Sequence, residues 1–349
     1  MQPIRRSTVH RYRIRPRNAA SVAFLLVGIA AFVWVLREND YRAVFHIVTM
    51  MGAGLAIIVI LRGFILAIGG LAWSSLLQTV SAASVPVMIG LRTIGEAINV
   101  LLPVGAVGGD VVRAMLLKSR GVDGGAAAAS TLVDVLLQAA AQALFLLLGL
   151  VMSLRFAGAA DLTLWAAGGV GVAALALGGF GVVQRFGGAR LIEQGLVRMA
   201  RRWQAATAAG AIRLDEPLQA IYADRRAVGA ALSLHELGWL VSALETWTAL
   251  RLMGVPISAS GALVLESLSR AVRAAAFPVP SGLGVQEGGY IAVGAVLGIP
   301  SETALALSLV KRVPDLAIGL PGLLAWYLLQ VRRLLPIGSA PRPPEEPFR

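Results

Sequence analysis

Fifteen ionisable side chains stand inside or beside long apolar stretches of this 349-residue chain. Seven are basic (Arg62, Arg92, Arg113, Arg270, Arg273, Lys311, Arg312) and eight acidic (Glu96, Asp110, Asp134, Glu236, Glu245, Glu266, Glu287, Asp315). A lone charge at the centre of a bilayer costs about 2.5 to 3.5 kcal/mol even on the gentlest insertion scale, so fifteen of them could not all face lipid. The near balance of sign predicts that they pair around a shared interior or sit at the interface. Two segments carry ordered stripes. Arg92, Glu96 and Asn99 lie on one helical face, and Glu266, Arg270 and Arg273 repeat the same i, i+4, i+7 spacing.

These groups suit a polar, charged ligand better than a reaction. The guanidinium groups of Arg113, Arg270, Arg273 and Arg312 match a phosphodiester, and the carboxylates of Glu96, Asp110 and Glu287 match an amine. With Asn99 and Asp315 they make up the candidate substrate-binding set. In "GGDVVR", Asp110 and Arg113 follow two glycines where a helix begins, and its free amides could hold a phosphate. The competing reading is structural: Asp110 caps its helix and pairs with Arg113, Glu287 caps likewise, and Arg312 pairs with Asp315 across Pro314.

Catalysis has little support. The chain has no cysteine, and His10, His46 and His235 are too far apart to read as a metal motif. "SGLGVQEGG" lacks the preceding strand of a dinucleotide fingerprint, and "GAVGGD" is not followed by Lys-Ser or Lys-Thr. Ser281 sits in a glycine-rich break with no histidine near it in sequence. No catalytic residue, metal or cofactor is therefore expected, and the protein is expected not to be an enzyme.

The elements that would position these residues are membrane spans. The chain is 57% hydrophobic and 14% charged, with mean hydropathy +0.75, far from soluble usage. Apolar runs of membrane-spanning length fall at about 20–36, 44–79, 124–152, 162–183, 227–252 and 303–330. The 44–79 run is long enough to need a tilt or a break, with Arg62-Gly63 and Gly69-Gly70 as candidate kink sites. Six arginines precede the first span and eight basic residues lie in the 184–226 loop, which places both termini in the cytoplasm. The first span is long for a signal sequence and no small-x-small site precedes Arg37, so it reads as an anchor. Arg198, Arg201 and Arg202 beside Leu191, Ile192, Leu196, Val197, Met199 and Trp203 read as an amphipathic helix on the anionic inner leaflet. The net charge of +12 is thus assigned to the cytoplasmic face and not to nucleic acid.

Segments 85–118 and 259–299 each read as helix, break, helix. A shift of 177 residues lays one on the other: Pro103 on Pro280, Gly105 on Gly282, Asp110 on Glu287 and Gly121 on Gly298. The same shift relates the flanking spans. Three crossings separate the two hairpins, an odd number, so the units must be inverted and their breaks should face one another around a polar cavity. The expected architecture is all-α integral membrane, about six transmembrane helices plus two re-entrant helical hairpins forming an inverted repeat. A basic N-terminus (1–19) precedes a polytopic domain (20–332) with repeats at about 44–152 and 221–330. A proline-rich disordered tail (333–349) follows.

Two segments carry a family resemblance. Asn99 through Pro103, Gly108-Gly109-Asp110 and Arg113 resemble one hallmark of the membrane region of lysylphosphatidylglycerol synthases, a flippase-like family. Pro278-Val-Pro280-Ser-Gly282-Leu-Gly284-Val-Gln-Glu287 resembles the other. An extra residue between Asn99 and Pro103 departs from the pattern. "ALALSLVKRVPDLAIGLPGLLAW" is similar to the stand-alone subgroup associated with hopanoid biosynthesis. The resemblance implies lipid translocation across the bacterial cytoplasmic (inner) membrane. Only about 17 residues follow the last span, too few for a synthase domain. The expected function is a flippase or transporter of a polar-headgroup lipid, whether phospholipid, aminoacyl lipid or hopanoid. Membrane lipids are the expected partners. The alternative is a non-transporting scaffold for lipid- or hopanoid-modifying enzymes, docked through the 184–226 loop. Lipid-biosynthesis enzymes would then be partners too. Oligomeric state is not legible.

Overall fold

A computed structural model describes residues 49–102, 108–153, 214–275 and 283–334, together with residues 42 and 46. Among these residues all regular structure is helical. Nine helices follow one another: α1 (Gly54–Leu77), α2 (Val85–Leu101), α3 (Gly108–Lys118), α4 (Gly124–Ser153), α5 (Asp215–Ala223), α6 (Arg225–Leu252), α7 (Ala259–Ala275), α8 (Val285–Val296) and α9 (Ser301–Leu334). Of these α1, α4 and α6 are long and apolar enough to cross a membrane by length and composition. The expected spans at 20–36 and 162–183, the basic N-terminus, Arg198, Arg201 and Arg202, and the tail beyond 334 lie outside the described residues.

Helix ends follow local chemistry. Asp224 caps α6 by accepting from the Arg226 and Ala227 amides, and Asp123 does the same for α4 through Gly125 and Ala126. Pro86 stands in the first turn of α2, where its missing N–H costs nothing. The long 44–79 run is interrupted at the turn Met51–Ala53, where Gly52 adopts φ +46, and not at Arg62-Gly63 or Gly69-Gly70 as expected. Helix α9 runs on through Pro314 and Pro321.

The outer surface is apolar in the way lipid requires. Leu316, Leu320, Leu324 and Tyr327 form an exposed stripe on α9, and Ile57, Ile60 and Phe64 one on α1. Such stripes in water would be an aggregation liability. This is an all-α membrane protein.

Two four-helix units correspond element by element. Shifting α1, α2, α3 and α4 by 177 residues brings them onto α6, α7, α8 and α9, with the starts of α3 and α4 (Gly108, Gly124) landing on those of α8 and α9 (Val285, Ser301). Each contact within one unit has its counterpart in the other: α1 with α2 and α6 with α7, α2 with α3 and α7 with α8, α3 with α4 and α8 with α9. Between units, α1 packs along α6, α2 on α9, and α4 on α7. The α1–α6 pair is antiparallel, since Gly54 meets Leu252, Arg62 meets Glu245 and Gly238 meets Ile68. Two equivalent helices running in opposite directions require the units to be related by a twofold axis across the helices, the geometry the odd crossing number demands.

Candidate functional site

The charged residues assemble into two buried hubs and one cavity. In the first hub Asp134 of α4, fully buried, gathers partners from three other helices. Arg92 of α2 donates to Oδ2 at 2.6 Å, Arg113 of α3 lies 2.8 Å from the same oxygen, and His235 Nε2 of α6 lies 2.8 Å from Oδ1. Arg92 also donates to Gln138 at 2.7 Å. The Arg113 guanidinium sits 4.5 Å over the Trp73 ring and donates through Nε to Asp110. Asn99 accepts from the Gly109 amide at 2.7 Å and donates to Asp110 at 3.2 Å, so the end of α2 caps the start of α3. The α2–α3 approach is possible because Gly95 and Gly109 stand backbone to backbone; a Cβ on Gly109 would collide with the Gly95 carbonyl.

The second hub has the opposite sign at the equivalent place. Position 134 shifted by 177 is Lys311, whose ammonium donates to Glu266 at 2.8 Å and to Thr246 at 2.7 Å. Glu266, also fully buried, accepts from Ser242, Thr246 and Tyr290 at 2.6 Å each and from Arg270 at 2.8 Å. Glu245 pairs with Arg62 at 3.0 Å. Farther along α8, Glu287 accepts from its own Gly284 amide and from Arg312 at 2.7 Å, while Arg273 donates to Gln286 at 3.0 Å. Each hub satisfies a desolvated charge with several charge-assisted bonds, which burial at this depth requires.

Between the hubs lies a cavity of about 120 Å³, room for several waters. It is walled by α1, α2, α6, α7 and α9, with Gln138 reaching in from α4. Its polar lining comes from both units: Arg62, Arg92, Glu96 and Gln138 on one side, and Ser242, Arg270 and Asp315 on the other, with His235 between. The three arginines are already paired with carboxylates. Glu96 and Asp315 have no hydrogen bond or ion pair among the described residues, so the uncommitted groups facing the cavity are two carboxylates. Arg273 lies within electrostatic reach of both, and positions 96 and 273 are related by the 177-residue shift.

Against the sequence reading, the cavity unites three of the nine candidates, Glu96, Arg270 and Asp315. Asn99, Asp110 and Arg113 form the network that holds α2, α3 and α4 together. Arg273, Glu287 and Arg312 tie α7, α8 and α9. The capping reading holds for Glu287, and Arg312 pairs with Glu287, not with Asp315 as the structural alternative had it. The phosphate expected at the start of α3 meets a Gly109 amide already taken by Asn99. Five of the polar cavity residues named above lay outside the candidate set: Arg62, Arg92, Gln138, His235 and Ser242. Arg62 and Arg92 were visible as charges at membrane depth, but which wall they line depends on helix rotation. The breaks themselves, residues 103–107 and 276–282, lie outside the described residues.

The family model for the lysylphosphatidylglycerol synthase TM region matches residues 19–322. The chain belongs to that family. No curated protein and no solved structure matches it. As a lysylphosphatidylglycerol synthase TM region, the protein is a membrane protein of a lipid-related family, and its match covers α1 to α8, α9 as far as residue 322, and the cavity between the units.

Proposed function

We propose that this protein is a lipid flippase or transporter of the bacterial cytoplasmic membrane, with both termini cytoplasmic. A polar headgroup passes through the central cavity while the apolar tail stays in lipid. The observation that carries the reading is a charge-lined cavity between two oppositely running units, with Glu96 and Asp315 uncommitted. Buried charge that served the fold alone would be paired, as it is in both hubs. Helix lengths agree with re-entrant hairpins: α3 and α8, with 11 and 12 residues, reach only about 16 to 18 Å, roughly half of a 30 Å hydrocarbon core. An inverted repeat provides two mirror-related conformations of similar energy, one open to each side. The cargo is a phospholipid, an aminoacyl lipid or a hopanoid bearing a polar group, and no bond is made or broken in it.

The test is lipid movement in liposomes reconstituted with the full chain and a fluorescently labelled lipid. The protein should accelerate transfer between leaflets, and Glu96→Gln with Asp315→Asn should slow it about tenfold or more, equivalent to roughly 1.4 kcal/mol in barrier, while leaving thermal stability near that of the parent. Unchanged transfer in the double variant rejects the route through this cavity, and a parent that moves no lipid rejects the transport reading. If the parent moves no lipid, and substitution of Arg198, Arg201 and Arg202 releases a bound lipid-modifying enzyme, the scaffold reading takes its place.

A further inference from the structure

A second, larger recess lies apart from the cavity, on the outer face of the α2–α9 pair. Pro86, Gly90 and Ile94 of α2 face Ala325 and Leu328 of α9 across a groove of about 460 Å³. That size falls within the usual range of about 300–1,000 Å³ for small-molecule sites. Residues 86, 90 and 94 recur every four positions, so the groove follows one face of α2 for about 12 Å. A single charged side chain lines it, Arg120, in the polar turn joining α3 to α4. Arg120 is exposed and has no ion pair among the described residues. Its nearest acid in sequence, Asp123, is occupied in capping α4. Leu116, Leu117 and Val122 pack with Met88 and Leu91, which seats this turn beside the first half of α2. The recess is therefore an apolar slot with one cation on the polar turn beside it.

We propose that this groove binds one anionic phospholipid of the bilayer, its phosphate on Arg120 and one acyl chain laid between α2 and α9. A guanidinium fork matches phosphate oxygens in a bidentate fashion, and an interfacial arginine beside an apolar channel places headgroup and tail at their proper depths. A neutral polycyclic lipid would leave the arginine without a counter-charge, and so would an apolar helix of a second copy. The site is separate from the central cavity and its occupancy is measured without any transport assay, so its failure and that of the transport reading are distinguishable.

The experiment uses the full chain in nanodiscs of equimolar phosphatidylglycerol and phosphatidylcholine, released and weighed by native mass spectrometry. One phosphatidylglycerol should be retained in preference to phosphatidylcholine. Arg120→Glu should cut that retention about tenfold, and Arg120→Lys should keep part of it. Gly90→Leu should cut it comparably by filling the floor, since nothing lies within 4 Å of a Cβ added there. A melting temperature close to the parent's shows that each variant folds. Retention unchanged by Arg120→Glu overturns the proposal. So does equal retention of the two lipids, or a concentration-dependent dimer that Gly90→Leu abolishes.

Discussion

Asp134 holds three basic side chains within 2.8 Å, whereas Glu96, also at membrane depth, has no partner among the described residues. The two carboxylates should respond differently to the same kind of change. Asp134→Asn leaves the buried Arg92 guanidinium without a counter-charge and Arg113 with Asp110 alone, a loss of about 3 to 5 kcal/mol, and should appear as a large drop in the detergent-solubilised melting temperature. Glu96→Gln removes no native pair, so its melting temperature should stay near the parent's. A stable Asp134→Asn variant would show that the first hub does not hold the fold. Sequence spacing placed Arg92, Glu96 and Asn99 on one face, and the structure gives them different roles: Arg92 joins a hub at the cavity wall, Glu96 faces the cavity unpaired, and Asn99 caps the next helix. A shared face sets a direction within about a quarter turn, and the neighbour met in that direction is decided by other helices.

At the scale of elements, the hairpin of α2 and α3 depends on close backbone approach. Gly109→Ala should destabilise the protein because the new methyl would strike the Gly95 carbonyl and displace the Asn99 cap, whereas Gly90→Ala meets open space and should be neutral or slightly stabilising through helix propensity. Thermal melting of the two variants side by side checks this, and equal stabilities would refute the packing described. The helices were legible in advance at 85–118, 124–152 and 227–252, because apolar runs with glycine, proline and Asp punctuation have few other solutions in lipid. The break at Gly52 was not foreseen. A glycine within an apolar run reads as a mere weak point until its φ is known.

For the whole molecule, the decisive relation is the antiparallel contact of α1 with α6. The chain has no cysteine, so paired cysteines report distance without background. Gly54→Cys with Leu252→Cys should form a disulfide on mild oxidation, whereas Gly54→Cys with Arg226→Cys, at the far end of α6, should not. The reverse result, read by mass spectrometry of the digested protein, would mean parallel units and no inversion. The sequence by itself determined the solvent, the helical class, the 177-residue correspondence and the family, since hydropathy, periodicity and motif spacing are local quantities that one strand of text contains in full. The tertiary structure alone decided which charges became hubs and which stayed free. The sign swap between Asp134 and Lys311 can be read from the 177-residue shift, but that each sits in a buried hub is seen only once the helices pack. The pairing of Arg312 with Glu287, and the convergence of Glu96 and Asp315 on one cavity, depend on helix rotations set jointly by every packed neighbour. Pairing energies act over a few ångströms in space, and separation along the chain does not encode them.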